Sequence, residues 1–351
     1  MTNLINASGL AESLKTTQDL RQERNVGPYE TAVILHLFYP DLWDEIKLYL
    51  NNLGEGFDLF VSVCGDNSDA IRGIILKDYP DSFVCKFENR GRDIGPFMEI
   101  YPVIAEHYRY ICKIHSKKSP HLSAGDVWRQ SLYSELLGSP LRVAEIKTLF
   151  DQFPTIGLIA PEGQLLRCQS YLDLNMGKVV EISKKIGVND PEKFDHDFPA
   201  GSMFWFKVDA LKLLLSLDIN QESYEKEQGQ LDGTLAHALE RVFPLASSVA
   251  GFQTVDTHIL KIYKELLDEY FSYSMHHSEG FRVTPSVLLR VAKCERQIDA
   301  LNHQIEEIHR SYSWRITRPL RFIMRRVILK VLLHPYLNPK KKWPTFQIKN
   351  R

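Results

Sequence analysis

The sequence predicts an α/β fold built on a mostly parallel sheet. From Thr31 onward, short apolar runs bounded by turn residues alternate with amphipathic stretches, the pattern of strand and helix in turn. The connections are only a few residues long, and no repeat of fixed period interrupts the alternation. Hydrophobic residues make up 44% and charged residues 25% of the 351, an ordinary soluble globular mixture that supports a large core.

Residues 1–28 are polar, lack a strong period and end at Gly27-Pro28; they read as a polar N-terminal arm or a short helix. Residues 31–38 form a strand-like run, and residues 40–50 an amphipathic helix with Asp41 near its start. A second strand over 57–63 ends at Gly65-Asp66, a helix follows near 68–76, and a third strand covers 82–87. Residues 109–115 are a strand, 126–137 and 142–153 are helices, and 156–160 is a strand closed by Pro161. Residues 204–207 are short and apolar, and 209–216 are helical. Residues 231–242 read as a strong helix, with Asp232 near its start and Leu235, Leu239 and Val242 as its apolar stripe. Residues 29–270 are taken as one domain. Two α/β halves are the alternative, because residues 163–200 are irregular and polar.

The C-terminal part differs. Val287, Val291, Cys294, Ile298, Leu301, Ile305, Ile308 and Tyr312 recur at spacings of four and three, a heptad seam that defines a helix over 284–312. It either packs on the body or associates as a coiled coil, which would make a homodimer through 287–312. After Glu307 the chain has twelve Lys and Arg and no Asp or Glu, leaving a net charge of −13 on the rest. Within residues 313–351, Leu320, Ile323, Met324, Val327, Ile328 and Val331 follow a helical period behind Pro319. Arg318, Arg321, Arg325, Arg326 and Lys330 fall mainly on the other face, with Trp314 and Trp343 outside them. A basic amphipathic helix with aromatic ends suits an anionic membrane surface, although the same apolar face could pack on the body or on a partner helix.

Several classes drop out. No apolar run reaches the roughly 18–20 residues of a spanning helix, and the first fifteen residues lack the basic and apolar regions of a secretory leader. Five scattered cysteines without a C-x-x-C argue for a reducing compartment. The expected location is cytoplasmic, peripheral on the inner face of the membrane. No P-loop, G-x-G-x-x-G, G-x-S-x-G or H-E-x-x-H motif is present. The tail holds no groove-reading module, so no nucleic-acid partner is expected.

Three segments sit where ligands bind in open α/β sheets, beyond strand carboxyl ends. The first is ENRGRDIGPF, Glu88 to Phe97. Gly91 and Gly95 allow close backbone approach, and Asn89, Arg90, Arg92 and Asp93 offer polar contacts suited to a phosphate or nucleotide. A turn in which Arg92 pairs with Asp93 is the plainer reading. The second is KIHSKKS, Lys113 to Ser119, whose alternation sends Lys113, His115 and Lys117 to one face, with Lys118 in the loop beyond. A buried lysine is costly unless paired, so the cluster should open into a cleft that holds a multiply charged anion; a solvated edge strand is the alternative. The third joins FPAGSMFWF, Phe198 to Phe206, to the stretch from Tyr224 to Arg241. Gly201 belongs to a small-residue turn, and Glu225, Glu227 and Asp232 are carboxylates before a helix, either a general base or a cap. His237 and Arg241 share one helix face.

These three segments, with Trp128, resemble the rhamnan synthesis protein F family of bacterial polysaccharide glycosyltransferases, over about residues 30–255. The resemblance implies a GT-A-like nucleotide-sugar fold and transfer of L-rhamnose from dTDP-β-L-rhamnose, with inversion, to a lipid-linked glycan. It gives Glu227 or Asp232 as the acceptor base and Lys113, Lys117 and Lys118 with Arg90 or Arg92 at the diphosphate. Carbohydrate stacking falls to Trp205, Phe204 or Trp128. Where related transferases carry a metal-binding D-x-D, this chain has His115-Ser116-Lys117. Lysines in place of the cation point to metal-independent transfer, with Mg2+ or Mn2+ on Asp93 or Asp66 as the alternative. A non-catalytic carbohydrate-binding or assembly subunit is the second functional reading.

Overall fold

The computed structural model describes residues 7–23, 27–118, 125–191, 196–230 and 232–265. The heptad helix expected over 284–312 and the basic tail over 313–351 lie outside the described residues.

Seven strands form one sheet: β1 (Thr31–His36), β2 (Phe57–Cys64), β3 (Phe83–Phe87), β4 (Tyr110–His115), β5 (Ile156–Ala160), β8 (Phe204–Lys207) and β9 (Gln253–Asp256). Their order is β3-β2-β1-β4-β8-β5-β9. Every residue of β1, β4 and β5 is buried, as expected for strands covered on both faces. Strands β1 to β4 are mutually parallel where they pair, and β8 runs antiparallel to both β4 and β5. The two halves considered from sequence therefore share one sheet. The sheet is mostly parallel as predicted. The reversed β8 has a local cause: the chain enters it from the carboxyl end of β4, through the turn Ala200–Ser202. A short antiparallel pair, β6 (Leu165–Arg167) with β7 (Asp197–Pro199), stands apart.

The helices are α1 (Ala7–Glu23), α2 (Trp43–Leu50), α3 (Ser68–Asp78), α4 (Ile94–Ile104), α5 (Gly125–Leu137), α6 (Pro140–Gln152), α7 (Met176–Lys185), α8 (Val208–Leu211) and α9 (Leu235–Val249). Of the two readings of residues 1–28, an arm or a helix, the helix holds over Ala7–Glu23, the 17-residue α1. Leu10 and Leu14, one turn apart, are buried in the main core, and α1 packs against α4 and β3. Arg21 closes a bidentate pair with Asp58 at 2.7 and 2.5 Å, to which Tyr108 also donates at 2.7 Å. The hydrophobic anchors are few, which is why the segment reads as polar.

Two further expectations are corrected. Residues 163–200 contain β6, α7 and β7 rather than irregular chain throughout. The helix expected from residue 231 begins at Leu235, and its N-cap is Thr234, whose hydroxyl accepts from the His237 N–H. Asp232 lies outside that helix. Pro244 falls inside α9, where it has no N–H to offer the Glu240 carbonyl four residues back.

Candidate active site

A cavity of about 580 Å³ opens beyond the carboxyl ends of β1, β3 and β4. Strand order reverses between β1 and β4, the switch point where an open α/β sheet leaves a crevice for ligands. All three segments singled out from sequence contribute walls to it.

The loop after β3 turns sharply. Gly91 has φ +72, and a Cβ there would lie 2.6 Å from the Tyr224 ring; at Gly95 a Cβ would meet the Arg90 carbonyl oxygen at 2.5 Å. Arg92 follows with φ 55, in the left-handed region although it is not glycine. This geometry separates Arg92 from Asp93. Arg92 donates to Glu227 at 3.3 and 3.4 Å, to His237 Nε2 at 3.0 Å and to the Gln230 carbonyl. Asp93 instead takes the ammonium of Lys113 at 2.5 Å, so the plainer Arg92–Asp93 turn is not formed. Arg90 bridges Lys226 through its backbone and does not line the cavity.

Lys113 and His115 point to one side of β4, as alternation requires, but they do different work from an exposed anion clamp. Lys113 is 1% exposed. Besides Asp93 it donates to the Ser202 carbonyl at 2.7 Å and hydroxyl at 2.8 Å. His115 Nε2 donates to the Gly201 carbonyl at 2.8 Å. Gly201 and Ser202 have φ 86 and 54, so these two side chains hold the second left-handed turn of the site and join it to the first. Lys113 thus supports the cavity floor. Burial alone would raise the Asp93 carboxyl, but the charges of Lys113, His115 and His36 outweigh it and hold it well below the ordinary carboxylate range. Burial pushes His36, on the adjacent β1, down to about 4, and it lowers His115 as well.

Among the described residues, the cations that face the cavity are Lys117, Lys118, Arg92 and Arg241. Lys117 rests its ammonium 4.2 Å from the Trp128 ring centroid, and burial lowers its pKa. Lys118 pairs with Asp41 at 2.6 Å and lies 5.0 Å above the Tyr39 ring. Trp128 donates to Gln164 at 2.9 Å and flanks Gly201, where an added Cβ would sit 3.6 Å from its ring. It therefore acts behind the wall, under Lys117. Trp205 and Phe204 are fully buried, and Trp205 Nε1 donates to the Leu136 carbonyl at 3.0 Å. Their rings pack in the sheet core and meet no ligand. Asn89 lines the cavity beside Phe38 and Tyr39.

Among the described residues, three carboxylates line the cavity: Asp93, Glu227 and Glu240. Glu227 is bound by Arg92 through both oxygens. Asp232 is not on the wall; it accepts from Asn175 at 2.8 Å and stands 3.6 Å from Arg241. His237 caps α9, with Nδ1 2.8 Å from the Thr234 hydroxyl. Glu240, which sequence reasoning passed over, pairs with Arg241 at 2.6 Å. Its carboxyl is pushed up by burial. The only sequence signal for it was its place three residues after His237. Tyr171, from the stretch read as irregular, and Phe198, which opens the third segment, complete the wall.

A divalent cation finds no ready set of ligands. Asp93 is already neutralised by Lys113, and among the described residues no group of three or more His, Cys, Asp or Glu is arranged to hold a metal. Also among the described residues, no helix is long and apolar enough to cross a membrane.

The range matched by a known family spans the whole of this site. The family model described as rhamnan synthesis protein F matches residues 10–251. Proteins named "Uncharacterized protein WxcX" in two strains of Xanthomonas campestris pv. campestris are each 34% identical over 221 residues, 63% of this chain and 32% of theirs. The chain therefore spans about a third of the length of these curated relatives.

Proposed function

The chain belongs to the rhamnan synthesis protein F family, and on that premise we propose that it is a glycosyltransferase of polysaccharide synthesis with a GT-A-like domain. The donor is a nucleotide sugar, dTDP-β-L-rhamnose by the family's name, and the acceptor is a lipid-linked glycan. The observation that carries this reading is the cavity at the β1/β4 switch point, with Lys117, Lys118 and Arg92 on its walls. A departing nucleoside diphosphate needs its charge neutralised as the glycosidic bond breaks. Preorganised cations in a partly desolvated cleft do this without reorganisation. Lys117 and Arg92 take that role here, with Phe38, Tyr39 and Asn89 on the nucleoside side. In-line attack by an acceptor hydroxyl inverts the anomeric carbon and gives an α-L-rhamnoside. Asp93 being engaged by Lys113, transfer proceeds on these side chains without a divalent cation.

The test is a panel of nucleotide sugars offered to the purified chain with and without EDTA, with consumption read by mass. dTDP-rhamnose should be consumed in the presence of a rhamnoside acceptor, and EDTA should leave the rate within about twofold. Consumption of no sugar nucleotide, with binding retained, would instead assign a carbohydrate-binding subunit.

The basic tail gives the same proposal a place. Each Lys or Arg near an anionic leaflet contributes about 1 kcal/mol, so residues 313–351 hold the chain reversibly at the surface where a lipid-linked acceptor lies, and residues 287–312 pair two copies there. In liposome flotation, the full chain should rise with anionic vesicles and be released by salt, and a chain ending at Arg310 should stay behind. Equal flotation of both would remove the tail from the proposal.

A further inference from the structure

The cavity has two unlike walls. Phe38, Tyr39, Asn89 and Lys118 line it after β1, β3 and β4. Leu166, Tyr171, Phe198, Glu240 and Arg241 line it from β6–β7 and α9. On the second wall Tyr171 is 42% exposed, with its ring edge against Phe198, centroids 5.6 Å apart. Arg241 lies 4.6 Å from the Phe198 ring centroid on the same wall. It is only 5% exposed, yet its Nε finds no acceptor among the described residues. An open aromatic face beside a guanidinium and a carboxylate is the chemistry that recognises a sugar ring. The ring stacks on C–H groups, and the charged groups take the hydroxyls.

Of the three cavity carboxylates, Glu227 gives both oxygens to Arg92. Asp93 is bound by Lys113 and is held too acidic to accept a proton readily. Glu240 commits only Oε2, to Arg241 at 2.6 Å, and among the described residues no hydrogen bond reaches Oε1.

We propose that the wall formed by Tyr171, Phe198 and Arg241 is the subsite of the acceptor sugar, and that Glu240 removes the proton from its attacking hydroxyl. The inference rests on the glycosyltransferase reading. The acceptor oxygen forms its bond to the anomeric carbon as its proton passes to Glu240 Oε1. The anomeric carbon–oxygen bond to the diphosphate breaks, and the nucleoside diphosphate leaves with the electron pair, beside Lys117. The charged groups that face Glu240 are Arg241 from its own helix, Asp93 from the loop before α4, Lys113 from β4 and Lys117 beyond β4. Burial, with the negative charge of Asp93, raises the Glu240 carboxyl against the three cations. A base so placed titrates nearer neutral pH than an ordinary carboxylate.

The test uses the full chain, dTDP-rhamnose as donor and octyl α-L-rhamnopyranoside as acceptor probe. Glu240→Gln should lower kcat by about 10²–10⁴, leave dTDP affinity within about twofold, and abolish the acidic limb of the pH–rate profile. Glu240→Asp should keep that limb. Tyr171→Ala should raise the acceptor KM about three- to tenfold with donor KM unchanged. Near wild-type kcat, or a surviving acidic limb, in Glu240→Gln would overturn the base; an unchanged acceptor KM in Tyr171→Ala would overturn the subsite. Saturation-transfer NMR of the octyl rhamnoside separates this proposal from the transfer reaction. Signals that persist with saturating dTDP and weaken in Tyr171→Ala support the subsite even if no donor is turned over. Displacement by dTDP places the sugar at the nucleotide wall and refutes it.

Discussion

Lys113→Met is expected to destabilise the domain by about 3–5 kcal/mol, the cost of leaving one partner of a buried ion pair alone. Lys113 is 1% exposed and donates to Asp93, the Ser202 carbonyl and the Ser202 hydroxyl. Removing it strips three acceptors at once and unties two turns. For a domain of this size that loss lowers Tm by roughly 6–20 °C, measured by differential scanning calorimetry. The pH dependence changes sign as well. In the native chain the Asp93 carboxyl is held below its unfolded value, so it adds stability above about pH 4 that is lost as pH falls further. Without Lys113, burial raises that carboxyl. Lys113→Met should therefore approach the native chain as pH falls below about 4 and lose ground as pH rises. Lys113→Met combined with Asp93→Leu should recover part of the loss. A Tm change under 2 °C in the single variant would mean that the pair is not what holds the turns.

Lys117→Ala is expected to reduce kcat/KM by about 30- to 1000-fold, roughly 2–4 kcal/mol of transition-state stabilisation, as for a lost oxyanion donor. The side chain lines the cavity and is held 4.2 Å from the Trp128 ring, so its ammonium is positioned before the donor arrives. Circular dichroism should hardly change, because Lys117 follows β4 and supports no turn by its side chain. Burial lowers the Lys117 pKa from the ordinary lysine value. Activity should accordingly fall on the alkaline side below pH 10.5, and Lys117→Arg should move that limb upward. Turnover within twofold of wild type in Lys117→Ala would take the residue out of the leaving-group site.

Sequence periodicity exposed the strands that are long enough to show it. β1, β2, β4 and β5 are apolar runs of five to eight residues, and the helices between them have clear stripes. The direction of β8 was not legible, because FWFK from Phe204 to Lys207 reads the same either way. The missed elements have local reasons. In α4, Gly95 and Pro96 sit in the first turn and Pro102 further in; the prolines and glycine suggest a loop, though a first-turn proline costs a helix nothing. β6, β7 and β9 are only three or four residues long. Asp232 drew attention as a cap, yet Thr234 three residues before His237 was the real signal.

The site was legible as segments but not as partners. The chemistry of Arg92, Asp93, His115 and Lys117 singles them out, and all four line one cavity with Lys113 beneath it. Which of them faces ligand and which supports the floor depends on pairings between residues as far apart as Lys113 and Ser202. Glu240 was hidden for the same reason: on a helix face it is one polar residue among others, and only its neighbours from β4 and the α4 loop make it unusual.

Arg92 and Ser202 occupy left-handed backbone at φ 55 and 54, where an ordinary side chain costs roughly 1–2 kcal/mol relative to glycine. Glycine at either position would relieve that cost and give up the side-chain contacts made there. Ser202→Gly should relax the backbone and keep the carbonyl that accepts from Lys113 but lose the hydroxyl, whereas Arg92→Gly should lose the pairing with Glu227 and His237. Backbone strain and side-chain ties thus meet in the same two turns, so a change made there for robustness also alters the wall of the candidate site.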